Sequence, residues 1–84
     1  MLYYLFQCRS LTYAQRTAAI LERSGISCYF MRTPRRLAGE GCSYCVKLSD
    51  RNAEDAFRIL LRAGLPPIRI FRPDSGGGYR EVEF

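Results

Sequence analysis

The chain has 84 residues, a formal charge of +5 and 48% hydrophobic residues. This length and composition predict one small globular domain, and no apolar run is long enough to cross a bilayer. Histidine is absent from the sequence, which excludes Cys/His zinc sites and the Cys–His nucleophile pairs of common hydrolases. The chain does not begin like a signal peptide, so we expect a cytoplasmic protein.

The first part of the chain predicts a strand, a helix and a second strand. Residues 2–8 are aromatic and aliphatic, which is typical of a buried strand. Thr12, followed three residues later by Gln15, forms a capping-box pattern, and apolar residues then recur at helical spacing. We therefore predict a helix over residues 11–24 and a second strand over residues 26–31.

The second part of the chain repeats this pattern after a break. Residues 32–36 contain a proline, which cannot continue a strand ladder. Residues 42–48 alternate in character and predict a third strand, with Cys45 facing away from the helices. A second helix is predicted from residue 49 or 50 to Gly64, and a fourth strand over residues 68–71.

The order β-α-β-β-α-β predicts an α+β domain with the ferredoxin-like fold. In that fold both helices cover one face of an antiparallel sheet ordered 4-1-3-2. We assign residues 1–73 to this domain and residues 74–84 to a Gly-rich C-terminal tail. Within the tail, residues 79–84 either add an edge strand or stay mobile.

The second face of the predicted sheet would remain open. Five apolar residues point to it if the strand parity is right: Tyr3, Leu5, Tyr29, Met31 and Phe71. Such a large apolar surface predicts a homodimer or a partner interface on this face. A parity error of one residue would instead send these side chains into the core.

The cysteines are predicted to be free thiols, and the topology separates their environments. Cys8 ends strand 1 and Cys42 starts the antiparallel strand 3, so both lie at the edge of the sheet where the first helix begins. The positive end of that helix, together with Arg35 and Arg36 in the adjoining loop, would favour a thiolate at Cys42. Cys8 would then be a resolving or accessory partner, and Cys28 a core cysteine.

Cys42 and Cys45 form a CxxC pattern, which often marks a redox pair. On an extended strand, however, three residues span roughly 10 Å and the two side chains point to opposite faces. A disulfide needs Cα atoms within about 7 Å, so we do not predict one between these cysteines. An all-sulfur metal site with Cys8 is disfavoured for the same reason, and we predict no metal or cofactor.

Over about residues 3–72 the chain resembles small bacterial domains described as putative selenium/sulfur carrier-like proteins. The resemblance rests on short elements spread along the chain: Phe6, Ala14, Gly25-Ile26, Pro34-Arg35 and Gly41-Cys42. It implies a role in selenium and sulfur metabolism, with Cys42 as the carrying residue and Arg35 in support. The chain departs from the family pattern at Ser43, where a glycine is usual, and in having Cys8 and Cys45.

We interpret the chain as a sulfur or selenium carrier, or a thiol-based transfer protein, that uses Cys42 and exchanges with donor and acceptor proteins. A carrier or binding protein is favoured over a complete enzyme. The alternative is a non-catalytic binding, regulatory or protein-interaction module of the same fold. RNA binding is disfavoured because strand 3 lacks the Lys/Arg-Gly-aromatic motif of RNA-binding versions.

Overall fold

The computed structural model describes residues 2–38 and 43–84, and the predicted α+β class is confirmed. Within these residues, five strands form one antiparallel sheet: β1 (Tyr3–Cys8), β2 (Cys28–Arg32), β3 (Tyr44–Ser49), β4 (Arg69–Pro73) and β5 (Tyr79–Val82). The helices of the same residues are α1 (Leu11–Arg23), α2 (Arg35–Ala38) and α3 (Asp50–Arg62). None of these helices has the length and hydropathy that crossing a membrane requires.

The strands lie in the order β2-β3-β1-β4-β5, and every neighbouring pair is antiparallel. The sequence predicted four of these strands and left residues 79–84 undecided. β5 pairs with β4 in a register that sets Val82 opposite Ile70, so the edge-strand alternative is right. The sheet therefore has one more strand than the four that were predicted.

The N-terminus of α1 is capped by Ser10, a residue that the sequence patterns did not indicate as the cap. The Ser10 side chain accepts a hydrogen bond from the Tyr13 N–H at 3.2 Å, which satisfies one of the first free donors of the helix. The predicted first residue, Leu11, is correct, but the predicted capping box that begins at Thr12 is wrong. The capping serine lies two residues after β1 ends at Cys8, so the helix starts beside that end of the strand.

The main core lies between the sheet and the two long helices, α1 and α3. Alternate strand residues point into it, because successive side chains of a strand face opposite sides. The helices add residues spaced four or seven apart, such as Ala14 and Leu21 on α1 and Ala56 and Leu60 on α3. This cluster joins both helices to β1, β3 and β4 and fixes their relative positions.

The second face of the sheet is only partly open, which corrects the prediction. Leu5 and Phe71 are 0% and 5% exposed, and with Cys45 they form a second buried cluster. The residues that pack against this cluster are Tyr3, Met31, Leu37 and Tyr79. The predicted strand parity was therefore right, but the apolar surface expected to bind a partner is largely covered within the chain.

The short helix α2 contributes Leu37 to this cover, and the sequence did not predict this helix. Pro34 interrupts the strand but also suits the first turn of a helix, where its missing N–H is not needed. Its carbonyl accepts the Leu37 N–H at 2.9 Å, and Leu37 then packs against the second cluster. Of the five apolar residues predicted to lie on this face, Tyr29 remains exposed, with 56% of its surface accessible to solvent.

Two adjacent leucines on α3 test this division between core and surface. Leu60 is fully buried, whereas Leu61 is 50% exposed. We expect Leu60→Ala to lower the free energy of unfolding by about 2–5 kcal/mol, since it leaves a cavity in the core. Leu61→Ala, the matched control, should change it by less than about 1 kcal/mol. Urea unfolding of both variants measures the difference, and equal losses would contradict the assigned helix face.

Candidate functional site

The candidate site lies at the end of the sheet where β1 ends and β3 begins. Cys8 pairs with Tyr44 in the β1–β3 register, and α1 starts three residues after Cys8. The predicted meeting of these three elements at one edge of the sheet is therefore confirmed. Cys42, the predicted carrying residue, lies outside the described residues.

Thr33 and Ser43 close the segment that contains Cys42. The Thr33 N–H donates to the Ser43 carbonyl at 3.0 Å, so the chain leaves the sheet and returns to it across one hydrogen bond. The Thr33 side chain is 4% exposed, and its hydroxyl lies 3.1 Å from the Cys45 sulfur. Both ends of the segment are thereby tied to β3.

Gln7 makes a third attachment at the same place. Its Nε2 atom donates to the Ser43 hydroxyl at 2.9 Å, although Gln7 lies on β1. We refer to Gln7, Thr33, Ser43 and Cys45 as the loop base. Because its contacts come from β1 and from the chain after β2, the loop base fixes Ser43, the residue that follows Cys42 in the chain.

One polar atom of the loop base has no hydrogen-bond partner within residues 2–38 and 43–84. Gln7 is 5% exposed, and its Oε1 atom is buried with no hydrogen-bond partner among the described residues. A buried polar group without a partner costs about 1–3 kcal/mol. Gln7 was not predicted as a site residue, although an amide near the end of the apolar run Tyr3–Cys8 is a signal that could have identified it.

The two predicted binding arginines lie on α2, and both are exposed. Arg36 Nη1 donates to the Gly77 carbonyl at 3.5 Å, which directs this side chain to the connection between β4 and β5. Arg35 follows Pro34 and begins the helix. Their positive charges therefore lie within four residues of Thr33, at the start of the segment that the loop base closes.

Cys8 lies on the opposite side of the sheet from the loop base, within the main core. Its thiol donates to the Phe6 carbonyl at 3.7 Å and lies 3.9 Å from the Thr17 hydroxyl. Burial raises the pKa of the Cys8 thiol to about 11 despite the opposing contact with Thr17. With this raised pKa, Cys8 is a protonated and weakly nucleophilic thiol at neutral pH.

Cys45 and Cys28 are also held as protonated thiols. Cys45 lies on the sheet face predicted from its strand parity, but it is fully buried there in the second cluster, and burial raises its pKa despite the Thr33 contact. Cys28, predicted as a core cysteine, is half-buried at the edge of the main core. Burial, and secondarily the charge of Glu22, raises its pKa to about 11.

Within residues 2–38 and 43–84 the cysteines are free, and no group of three or more potential ligands could hold a metal ion. Cys8 and Cys45 belong to separate clusters on the two faces of the sheet. The two sulfurs are therefore not arranged as a redox pair.

Comparison with known protein families adds to this geometry. The model of a family described as "Putative Se/S carrier protein-like" matches residues 3–72. The chain belongs to this family. The match runs from the start of β1 into β4, so it includes the whole loop base, and it confirms the resemblance inferred from the sequence. No curated protein and no solved structure matches the chain.

The three buried thiols predict a pH profile for alkylation. In a Cys42→Ser variant, iodoacetamide should modify Cys8, Cys28 and Cys45 more slowly at pH 7 than it modifies free cysteine. For Cys8 and Cys28 the rate should rise as the pH approaches about 11, since the reactive thiolate forms only there. Peptide mass mapping gives the rate at each site.

The urea-unfolded Cys42→Ser variant is the control, and its three thiols should all react at the rate of free cysteine. Alkylation of any of the three in the folded protein at that same rate at pH 7 would show that burial does not suppress its thiolate.

Proposed function

We propose that this protein is a sulfur or selenium carrier in which Cys42 is the carrying thiol. The family assignment supports the carrier role. The choice of Cys42 as the carrying residue rests on the burial of the other three cysteines. Burial raises the pKa of Cys8, Cys28 and Cys45. A carrier needs a thiolate at neutral pH, and these three thiols are poor candidates for it.

The transfer step is a thiol exchange that needs no external oxidant. The Cys42 thiolate attacks the outer sulfur of a persulfide on a donor protein. A new S–S bond forms on Cys42 while the donor's S–S bond breaks, and the donor cysteine leaves as a thiolate. The transferred sulfur keeps its oxidation state and any proton it carries, and the same step with a perselenide moves selenium. Delivery to an acceptor protein is a second exchange of the same kind.

The loop base supports this role by positioning the chain next to Cys42. Ser43 is held through its carbonyl by Thr33 and through its hydroxyl by Gln7. Arg35 and Arg36 add positive charge at the start of the same segment, where it would stabilise the anionic form of the carried group. Gln7 acts in this proposal as a positioning residue.

We also propose that the fold is a ferredoxin-like arrangement with one added strand. Without β5, the observed order read from the other edge is 4-1-3-2, and α1 and α3 pack on one face. On this proposal the domain ends near residue 73 and the remaining residues form an appended arm that supplies β5. A carrier that depends on a free thiol requires a reducing compartment, which supports a cytoplasmic location.

Sulfur loading tests the proposed carrying residue. Incubation with a cysteine desulfurase and cysteine should add one sulfur to the wild-type chain, as seen in the intact mass. The Cys42→Ser variant should gain none, whereas Cys8→Ser, Cys28→Ser and Cys45→Ser should load as the wild type does. A selenocysteine lyase with selenocysteine provides the corresponding selenium experiment.

Treatment with a reductant should remove the added mass, since a persulfide is reducible. Failure of the wild type to load in both the sulfur and the selenium experiment, or loading of Cys42→Ser to the wild-type level, would rule out Cys42 as the carrying thiol.

Replacement of Gln7 separates its positioning role from a role in stability. Gln7→Leu removes both the bond to Ser43 and the unpaired Oε1, so the free energy of unfolding should stay within about 1 kcal/mol of wild type. The rate of persulfide formation should nevertheless fall severalfold, because Ser43 loses its attachment to β1. Urea unfolding and time-resolved mass measurements give the two quantities.

Ser43→Ala is the matched control, because it removes the same bond but leaves the Gln7 amide buried with neither group paired. It should cost about 1–3 kcal/mol in stability as well as slowing the transfer. An unchanged transfer rate in Gln7→Leu would contradict the positioning role while leaving Cys42 as the carrier.

A further inference from the structure

A cleft of about 520 Å³ lies at the opposite end of the sheet from the loop base. It opens where β1 and β2 begin and β3 ends, close to the pairs Tyr3–Ser49 and Cys28–Leu48. Its volume falls within the range of about 300–1,000 Å³ that small-molecule sites occupy. Neither the family assignment nor the proposed carrier role uses this cleft.

The walls of the cleft are mainly apolar side chains. Leu2 and Tyr29 are 50% and 56% exposed, so each presents apolar surface to a ligand. The ring of Tyr3 lines the cleft too, and its hydroxyl is held 3.0 Å from the hydroxyl of Tyr79. The walls therefore offer aromatic faces against which a flat apolar group can pack.

Lys47 supplies a positive charge within these walls. It is the only lysine of the sequence, and its Nζ lies 4.0 Å from the centroid of the Tyr3 ring and 5.8 Å from that of Tyr29. The two rings orient the ammonium group but, being uncharged, do not neutralise its positive charge. The ion pairs among the described residues involve Arg58 instead, so no carboxylate of these residues lies within 4.0 Å of Lys47.

A hydroxyl group adds a hydrogen-bond donor beside this charge. Ser49 lines the cleft and precedes α3, but its side chain makes no capping hydrogen bond to the helix. Its hydroxyl is therefore available to a ligand, and Ser27 contributes a second hydroxyl to the lining. An ammonium and hydroxyl groups between apolar walls suit a single oxyanion attached to an apolar body.

We propose that this cleft binds a small organic monocarboxylate, with its carboxylate on Lys47 and Ser49 and its flat apolar body against Tyr29 and Leu2. The described residues that line this cleft lie at the opposite end of the sheet from the loop base, so the proposed binding site can be tested independently of the carrier role.

The test compares two ligands of the same shape and different charge, 2-naphthoate and 2-naphthalenemethanol. Each is titrated into the ¹⁵N-labelled full chain, and amide chemical shifts report both affinity and location. We expect saturable binding of 2-naphthoate with the largest shifts at Tyr29, Lys47 and Ser49, and binding of the neutral alcohol at least about tenfold weaker. Equal affinities, or shifts spread over the arginine-rich surface away from the cleft, would refute the site.

Lys47→Met removes the charge and keeps a side chain of similar length. It should weaken 2-naphthoate binding about tenfold, to the level of the alcohol, and leave the affinity for the alcohol unchanged. Arg51→Met, the matched control, makes the same change of charge at an exposed position of α3 and should not alter either affinity. An equal loss in Arg51→Met would mean that net charge, and not this cleft, attracts the ligand. Sulfur loading of Cys42 should be unaffected in both variants.

Discussion

The hydrogen bond from the Thr33 N–H to the Ser43 carbonyl fixes where the chain leaves the sheet and where it returns. Ser43 is also bound by Gln7 from β1, while the Thr33 hydroxyl contacts Cys45 on β3. β1 and β3 are paired along their whole length, so these contacts rest on the best-supported part of the sheet. Thr33 and Ser43 are therefore both held in place, one on each side of the segment that joins them.

The burial that stabilises the domain also raises the pKa of its buried thiols. Cys8 fills part of the main core and Cys45 part of the second cluster, and in both places the loss of water disfavours the thiolate. Packing energy and low reactivity therefore have the same cause at these two positions. A carrier with several cysteines gains from this arrangement, because sulfur transferred to a buried thiol could not be delivered.

Strong periodic patterns in the sequence predicted β1, α1, β3 and α3, because hydrophobic spacing reflects burial directly. The helix α2 was missed because a proline such as Pro34 can follow a strand and can also precede the first turn of a helix. Leu37, which packs on the second cluster, lies in the helix that follows. The same packing helps to cover the face that was expected to be open. The side-chain partner of Gln7 is Ser43, 36 residues away in the chain, so no local pattern could show that its Oε1 atom has no partner among the described residues.

The loop base and the cleft lie at the two ends of β3, and the strand sets their relation. Lys47 lies four residues after Ser43, which is about 13 Å along an extended chain, so a carboxylate bound to Lys47 does not touch Ser43. β3 is paired with β2 on one side and β1 on the other, which resists any sliding that could connect the two ends. A ligand shifts a conformational equilibrium only if it binds two conformations with different affinities. Because β3 is held in one conformation by both neighbouring strands, we expect ligand binding in the cleft to leave the loop base unchanged.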